Sequence, residues 1–333
     1  MTDLDWLDRF HGFLLVDKPE GITSQDAITR LQHALVERSG GRLKKRDLPS
    51  MGHGGTLDPF ATGLLVVAVG DGVKLTRYLL GSDKSYAAEI AFGARTASGD
   101  RTNEVVERTD RLPRDGEALV RAAAGFLAAP YLQTPPMYSA KKIEGVPLYE
   151  LARKGLTVER AAIPCTVREF AIESTGESPT GGIASARARA TVSSGTFIRT
   201  LAEDLAVRAE SLAHLTSLRR LASGRLSLDR ALPLSAFAEA LGENRAWSDL
   251  PCFIPFHRAM DGILPRLEIT TQTAARIFSG EVRTLGELPL RETGSTALYS
   301  TGRLVAIVRE RGDGEGGGRS IERGFPLRFG DAV

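Results

Sequence analysis

Residues 52–63 bring four glycines, one histidine and one aspartate together in the segment Gly-His-Gly-Gly-Thr-Leu-Asp-Pro-Phe-Ala-Thr-Gly. Glycine has no Cβ, so such a segment lets a planar ligand or another backbone approach closely. Asp58 is the candidate catalytic group, although an aspartate before a proline is more often a turn former. An isolated histidine such as His53 is equally ambiguous. The segment alone therefore leaves its function open.

The sequence has no motif for a metal or a nucleotide cofactor. It contains no HExxH, paired CxxC or Walker sequence, and Cys165 and Cys252 lie too far apart for a metal or redox site. The one formal GxGxxG match, residues 312–317, has no helix pattern after it, so we interpret it as a flexible hairpin loop. We expect neither metal nor cofactor, and the cysteine usage fits the reducing cytoplasm.

The overall charge is too small to indicate a nucleic-acid partner. The net charge is +2 and the pI is near 8.6, so any RNA-binding surface must be local. One basic run, residues 42–46, precedes Asp58, but such a run is usually a solvated loop. No apolar run approaches the roughly 20 residues that span a bilayer, and residues 1–12 lack a signal-peptide pattern. We expect no membrane contact.

Buried strands are expected on both sides of Asp58. Residues 13–16 predict a short buried strand, and residues 64–69 form a continuous apolar run, typical of a strand buried on both faces. Ser24 is placed to cap a helix whose apolar residues recur at helical spacing from Ile28 to Leu35. The Asp58 segment should therefore lead directly into the core.

A second strand and helix are expected to position Arg199. Residues 184–192 alternate strictly between small apolar residues and a face with two arginines, which predicts a half-exposed strand with a basic face. After the Ser-Ser-Gly of residues 193–195, Thr196 is a plausible N-cap of a helix. Arg199 then lies in the first helical turn, beside the loop.

The chain length of 333 residues suggests two domains. Residues 271–279 predict a helix that ends at Gly280, and residues 297–310 predict a hairpin that turns at Thr301. A small, mostly β module is therefore expected at the C-terminal end. Prolines near residue 250 place the boundary, so we expect a catalytic domain at 1–250, a linker at 251–264 and the C-terminal domain at 265–333.

The Asp58 segment resembles the signature of the bacterial TruB-type tRNA pseudouridine-55 synthases, His-x-Gly-x-Leu-Asp-Pro-x-Ala-x-Gly. Four further segments match in the family's order: Lys18-Pro19-x-Gly21-x-Thr23-Ser24, Asp83-Lys84-x-Tyr86, Pro135-Pro136-x-Tyr138-Ser139-Ala140-x-Lys142 and Gly195-Thr196-Phe197-Ile198-Arg199. The resemblance implies an α/β fold of the mixed α+β kind, with a catalytic domain on a central mixed or antiparallel sheet. It also implies a thumb-like RNA-binding insertion at about 130–155 and a PUA-like RNA-binding domain at the C-terminus.

The same resemblance implies isomerisation of uridine 55 in the T loop of tRNA to pseudouridine. This reaction breaks an N-glycosidic bond and forms a C-glycosidic bond without net redox or hydrolysis, so it needs no cofactor. It does need a nucleophile, a group that removes the C5 proton and a pocket that retains the detached base. The resemblance implies action on the T arm of bare tRNA, without guide RNA or protein partner, and we expect a monomer.

By motif position, the resemblance assigns Asp58 as the nucleophile, which attacks either the base or the sugar. Arg199 is the residue that the family pairs with this aspartate. Tyr86 stacks on the target base and is the candidate for relaying the C5 proton. His53 matches the histidine that enters the T loop and fills the space left by the flipped uridine, because flipping costs a few kcal/mol of stacking.

The remaining expected site residues shape the pocket or contact RNA. Lys18 and Pro19 are expected to form the wall behind Tyr86, and Leu218 to line the pocket. Phe197 replaces the family's usual tyrosine, so it keeps the stacking surface but loses the hydroxyl. The residues expected to contact RNA are Lys74, Lys141, Lys142 and, in an insertion at residues 36–50 that is longer than in many relatives, Arg42, Lys44, Lys45 and Arg46.

Two alternatives stay open at this point. The guide-RNA-dependent synthase of H/ACA particles has a similar aspartate motif and a PUA module, although the thumb-like insertion and the Tyr86 context favour a stand-alone enzyme. The second alternative is a non-catalytic protein that remodels the T arm. An enzyme of this family could also have tRNA folding as an additional activity. An aspartate-based hydrolase is disfavoured because a second placed carboxylate is lacking.

Overall fold

The computed structural model describes residues 10–128, 130–143, 145–240, 250–290, 294–311 and 318–325. The loop expected at residues 312–317 lies outside the described residues. In chain order the elements are β1 (Gly12–Lys18), α1 (Ser24–Arg38), β2 (Met51–His53), β3 (Thr62–Val69), α2 (Thr76–Leu80), β4 (Lys84–Phe92), β5 (Ala94–Thr96), β6 (Val105–Arg108), α3 (Gly116–Ala124), β7 (Tyr131–Gln133), β8 (Lys142–Ile143), β9 (Val146–Pro147), α4 (Leu148–Arg153), β10 (Ile163–Cys165), β11 (Val167–Glu177), β12 (Ile183–Val192), α5 (Ile198–Arg208), β13 (Ala213–Ser223), β14 (Leu226–Ser227), β15 (Leu232–Pro233), α6 (Phe237–Ala240), β16 (Phe253–Pro255), β17 (Arg266–Glu268), α7 (Thr271–Phe278), α8 (Val282–Gly286), β18 (Gly294–Ser300), β19 (Arg303–Arg311) and β20 (Gly318–Gly324).

A ten-stranded mixed sheet forms the centre of the molecule. Its main path runs β11-β12-β4-β13-β3-β1-β15, while β2 pairs with β3, β14 with β13 and β16 with β1. The contacts of β13 with β3 and of β1 with β15 are parallel, and the other pairs along the path are antiparallel. The expected mixed α/β fold on a central sheet is confirmed.

Strands β1 and β3 lie at the middle of the core, as their apolar runs predict. They pair antiparallel from Gly12 with Val69 to Lys18 with Gly63. All residues of β3 after Thr62 are buried. Helix α1 covers this part of the sheet with a row of buried residues at helical spacing, and replacing one of its leucines or its isoleucine with alanine would cost about 2–5 kcal/mol. That row is Ala27, Ile28, Leu31 and Leu35.

Helix α1 is capped by Thr23 and not by Ser24, which corrects the prediction. Thr23 is in the extended conformation, and its hydroxyl accepts from the amide of Asp26. The Ser24 hydroxyl instead accepts from the amide of Leu57 at 2.9 Å and donates to its carbonyl at 3.2 Å. The start of α1 is therefore tied to the residue just before Asp58.

Helix α5 is likewise not capped by Thr196, whose hydroxyl donates to the carbonyl of Ser193 in the preceding turn. Phe197 occupies the N-cap position and provides no side-chain cap. The amide of Phe197 donates instead to the side chain of Gln133, at 2.7 Å. A long-range contact thus replaces the local cap that the sequence suggested.

The arginines on the exposed face of β12 are neutralised by neighbouring strands. Arg187 lies 3.0 Å from a carboxylate oxygen of Glu89 on β4, and Arg189 lies 2.9 Å from one of Glu173 on β11. The alternate positions of β12 are buried alanines and a valine. The half-exposed strand is confirmed, but its charge is paired within the sheet.

The C-terminal part forms a small four-stranded sheet in the order β17-β18-β19-β20, with α7 and α8 beside it. The predicted helix is α7, and Gly280 follows it with a positive φ of 85°. The predicted hairpin joins β18 and β19 through Thr301 and Gly302, both with positive φ. The small β module is therefore present.

The stretch expected to be a linker, 251–264, is built into the fold. Strand β16 within it pairs with β1, and its Phe253 is buried, as are Ala259 and Met260. The prolines there separate short apolar pieces that complete the core, so proline content alone does not show that this stretch is a free linker. The domain boundaries themselves stay a prediction. Within the described residues, no helix has the length and apolar character needed to cross a membrane.

Candidate active site

The central feature of the site is the connection between β2 and β3, residues 54–61, which we call the Asp58 loop. The amide of Ala61 donates to the carbonyl of Asp58 at 3.1 Å, which closes a turn at the aspartate. The Asp58 side chain is 35% exposed. Its carboxylate is thus held by a tight turn at the edge of the core and is still accessible to a ligand.

Arg199 binds the Asp58 carboxylate from the first turn of α5. Its Nε lies 3.0 Å from Oδ2 of Asp58, and its side chain is only 4% exposed. Nη1 donates to the carbonyl of Ser98 at 2.5 Å, and Nη2 donates to that of Tyr138 at 2.7 Å. Every nitrogen of the guanidinium is therefore engaged. A buried guanidinium in this position holds the Asp58 carboxylate in a fixed orientation.

Asp100 is a second carboxylate at Arg199 that the sequence reading missed. Its Oδ2 lies 3.8 Å from Nη1 of Arg199, and its side chain is 6% exposed. It also accepts from the hydroxyl of Ser98 and from the amide of Thr102, both at 2.9 Å. A short polar turn carries no periodic signal, so only the fold reveals this contact.

Lys18 lies beneath the Asp58 loop and is fully buried. Its ammonium donates to the carbonyls of Pro19 and Ile22, each at 2.9 Å, and to that of Pro59 at 3.4 Å. Burial lowers the pKa of Lys18 to about 8, while the charge of Asp58 acts in the opposite direction. The described contacts of Lys18 therefore hold the loop just after Asp58. The neighbouring residue Pro19 is exposed.

Tyr86 and Leu218 lie on the same face of the sheet. Tyr86 on β4 pairs in register with Arg220 of β13, and Ala88, two residues later, pairs with Leu218. Tyr86 is half-buried and packs against the core, and Leu218 is buried. Because β13 also pairs with β3 directly after the Asp58 loop, Tyr86 and Leu218 lie on the part of the sheet next to that loop.

His53 is the last residue of β2 and pairs with Val67. Its Nδ1 is buried and has no hydrogen-bond partner among the described residues. Burial, and after it the charge of Arg220, lower the pKa of His53 below its usual range. The imidazole is therefore neutral at neutral pH.

The contacts described for the other expected residues do not include Asp58. Phe197 is clamped by the fully buried Gln133, which accepts from its amide at 2.7 Å and donates to its carbonyl at 3.0 Å. Lys141 lies just before the β8–β9 hairpin and Lys142 is the first residue of that hairpin, and both are exposed. The ammonium of Lys74 lies 2.6 Å from a carboxylate oxygen of Asp71, and the contacts described for it are outside the Asp58 loop.

Three comparisons place the chain among known proteins. A family described as TruB family pseudouridylate synthase (N terminal domain) matches residues 43–198. The tRNA pseudouridine synthase B of Cupriavidus taiwanensis is 38% identical over 308 residues, which cover 90% of this chain and 91% of that protein. The protein of the same name from Burkholderia mallei is 36% identical over 303 residues, which cover 90% and 92%.

Two solved structures share the fold. A chain of the crystal structure of a Cbf5-Nop10-Gar1 complex aligns with a TM-score of 0.68 at 19% identity, covering 96% of this chain and 86% of that one. The structure of an H/ACA RNP bound to a substrate RNA containing 2′-deoxyuridine aligns with a TM-score of 0.65 at 18% identity. At such identities the likeness concerns the fold alone.

Proposed function

This chain belongs to the TruB family of pseudouridylate synthases, and from that premise we propose that it isomerises uridine 55 in the T loop of tRNA with Asp58 as the nucleophile. The chain is a tRNA pseudouridine synthase, in keeping with the names of its relatives. The observation that carries the finer proposal is the pairing of a partly exposed Asp58 with a buried Arg199 at 3.0 Å. An ionised, oriented and accessible carboxylate is what the reaction requires.

The Asp58 carboxylate attacks either the base or the sugar of the flipped uridine. In both routes the N-glycosidic bond breaks, the base turns within the pocket, and C5 forms the new bond to C1′. The bond to Asp58 breaks again in the course of the reaction, C5 loses its proton and the freed N1 gains one, so the product is an isomer of the substrate and the carboxylate is regenerated. Arg199 orients the carboxylate, which is a contribution that a preorganised charge can make without reorganising during the reaction. Tyr86 stacks on the base and relays the C5 proton, with Leu218 and Phe197 as the apolar walls.

His53 replaces the uridine in the T loop when the base flips out. A base leaving its stack costs a few kcal/mol, which a side chain filling the gap offsets. In the RNA-free protein, burial lowers the pKa of His53 below its usual range. The position of His53 at the end of β2, directly before the Asp58 loop, supports this role.

The RNA is held by surfaces around this site. The thumb-like insertion at about 130–155 presents the exposed Lys141 and Lys142. Its Tyr138 carbonyl binds Arg199, so the base of the thumb is connected directly to the site. We place the catalytic domain at 1–250 and a PUA-like domain at 265–333, and we expect a cytoplasmic monomer that needs no guide RNA. An additional tRNA-folding activity stays a prediction.

The position of the modified uridine is tested by tritium release from a tRNA transcript carrying 5-tritiated uridine. We expect wild-type protein alone to release about one equivalent per tRNA, because one C5 proton is lost per pseudouridine formed. A transcript with cytidine at position 55 serves as the matched substrate. Release that persists from this second transcript would overturn the assignment of position 55, and no release from either would overturn the stand-alone synthase.

A further inference from the structure

The guanidinium of Arg220 is buried beneath the Asp58 loop and holds the loop by its main chain. Arg220, on β13, is 2% exposed. Its Nη2 donates to the carbonyl of Gly55 at 3.1 Å and its Nη1 to that of Thr56 at 3.3 Å. Its Nε donates to the carbonyl of Leu64 at 2.7 Å. One side chain thus ties the loop before the aspartate to the strand that follows the loop.

Arg220 has no ion pair with a carboxylate in the described part of the chain. A buried charge without a counter-ion is costly, and apolar residues of similar volume are often at least as stabilising as buried ionic groups. The three carbonyls offset part of this cost by accepting hydrogen bonds. Stability alone is therefore a weak reason for a guanidinium at this position.

The pairing of β13 with its two neighbouring strands fixes the position of Arg220 beneath the loop. Arg220 pairs in register with Gly63 of β3 on one side and with Tyr86 of β4 on the other. Gly63 has a φ of 98°, and a Cβ there would lie 2.3 Å from the carbonyl oxygen of Arg220. The close approach of β3 and β13 at this point therefore fixes the position from which the guanidinium of Arg220 reaches the loop.

Three buried cations thus hold the Asp58 loop at different points. Arg199 binds the carboxylate, Lys18 binds the carbonyl of Pro59 after it, and Arg220 binds the two carbonyls before it. A reacting group displaced by about 1 Å loses on the order of 100-fold in rate. We propose that Arg220 is a positioning residue that fixes the direction of the Asp58 carboxylate towards the flipped uridine, an inference that rests on the proposed function.

The test uses Arg220→Met and Arg220→Lys, with Arg219→Met as the matched control. Arg219 is the preceding residue on β13, but its guanidinium pairs with Asp17 and its side chain is 38% exposed. For each variant we would measure the single-turnover rate of tritium release, the dissociation constant for tRNA and the melting temperature. Hydrogen exchange of the amides in residues 54–61 would be measured on the RNA-free protein. Thr62 is left out because its hydroxyl accepts from Nη1 of Arg219 at 3.2 Å.

Arg220→Met is expected to lower the single-turnover rate by about 10- to 100-fold, while tRNA affinity stays within about threefold of wild type. Its loop amides should exchange faster than those of Arg219→Met. Arg220→Lys keeps the charge but offers one nitrogen, so its rate should lie between those of wild type and Arg220→Met. If Arg220→Met does not fold, the lysine variant compared with Arg219→Met carries the same test.

A folded Arg220 variant with wild-type rate and wild-type loop exchange would overturn the proposal. So would a rate that falls equally in Arg219→Met, because that loss would belong to the strand and not to this contact. The hydrogen-exchange measurement involves no chemistry. Absence of tritium release by wild type would therefore contradict the proposed function, whereas unchanged loop exchange would contradict the role of Arg220.

Discussion

Two groups of cations near the Asp58 loop differ in burial: one lies beneath the loop, and the other is exposed just before it in the chain. Beneath the loop, Arg199, Arg220 and Lys18 are buried, and their donors bind carbonyls and carboxylates at fixed distances. The exposed region, residues 42–46, contains four basic residues on the surface. We expect the first region to fix the geometry of the site and the second to attract RNA over a longer range.

The exposed segment is nevertheless a defined structure. Leu43 within the segment and Leu48 just after it are buried. The amide of Lys44 donates to a carboxylate oxygen of Asp47 at 2.8 Å, which begins a single turn of 3₁₀ helix. The side chain of Arg46 is 77% exposed. Charges presented this way are screened within about 8–10 Å by salt, whereas buried charges are screened much less. Substitutions in the two regions should therefore change different kinetic quantities.

The largest effect is expected from removing the buried charge that binds Asp58. Arg199→Gln should lower the single-turnover rate by about 10²–10³-fold, because a preorganised electrostatic contact is lost. Its tRNA affinity should change by less than about threefold, since Arg199 is buried and does not face the RNA. Single-turnover tritium release and filter binding would separate the two quantities. A loss confined to tRNA affinity would contradict the distinction between the regions.

Neutralising the exposed segment should give a smaller effect of the opposite kind. The triple variant Lys44→Gln, Lys45→Gln and Arg46→Gln is expected to raise KM for tRNA roughly tenfold with kcat nearly unchanged. The plot of log affinity against log salt should lose a slope of about 2–3, because each neutralised phosphate contributes about 0.7–0.9. An unchanged slope, measured by filter binding from low to moderate salt, would show that residues 42–46 do not contact RNA.

The buried Lys18 should reveal itself in the pH dependence of stability. Burial lowers its pKa from 10.5 to about 8. Between these values the unfolded state binds more protons, so Lys18 makes the free energy of unfolding rise with pH in that window. Denaturant titrations from about pH 8 to pH 10 should give a shallower rise for Lys18→Met than for wild type. Equal slopes would contradict a buried, desolvated ammonium under the loop.

The smallest effect is expected from the arginines of β12, which serve as the control for charge alone. Arg187 and Arg189 are exposed but paired with glutamates. Replacing both with glutamine should leave KM and the salt slope of tRNA binding unchanged, and should change stability by less than about 1 kcal/mol per pair. If the salt slope fell as much as in the 42–46 variant, the loss of any exposed cation would weaken tRNA binding. Residues 42–46 would then have no particular role in RNA binding.

How far the sequence predicts this molecule depends on the range of the contact concerned. The apolar runs at 13–16 and 64–69 predict their strands because burial on both faces leaves a local pattern. Thr23 and Ser24 are both good capping residues, so the local signal could not choose between them. Arg220 had no such signal, since its role arises from contacts with residues more than 150 positions away in the chain.

The site shows the same division. Motifs point to Asp58, Arg199, Tyr86 and His53, and the fold places Arg199 against Asp58, as the family resemblance implies. No motif points to Gln133, although it is buried and binds the start of α5, because a single polar residue in a short strand has no distinguishing pattern. Buried polar contacts of this kind become visible only when the chain is folded.

The most direct test of the account is single-turnover tritium release by Asp58→Asn, with Asp17→Asn as the matched control. Both substitutions remove a carboxylate that pairs with an arginine, but Asp17 pairs with Arg219. The account predicts no release by Asp58→Asn at wild-type tRNA affinity, and release by Asp17→Asn within about tenfold of the wild-type rate. Release by a folded Asp58→Asn variant at a rate close to that of wild type would contradict the assignment of Asp58 as the nucleophile.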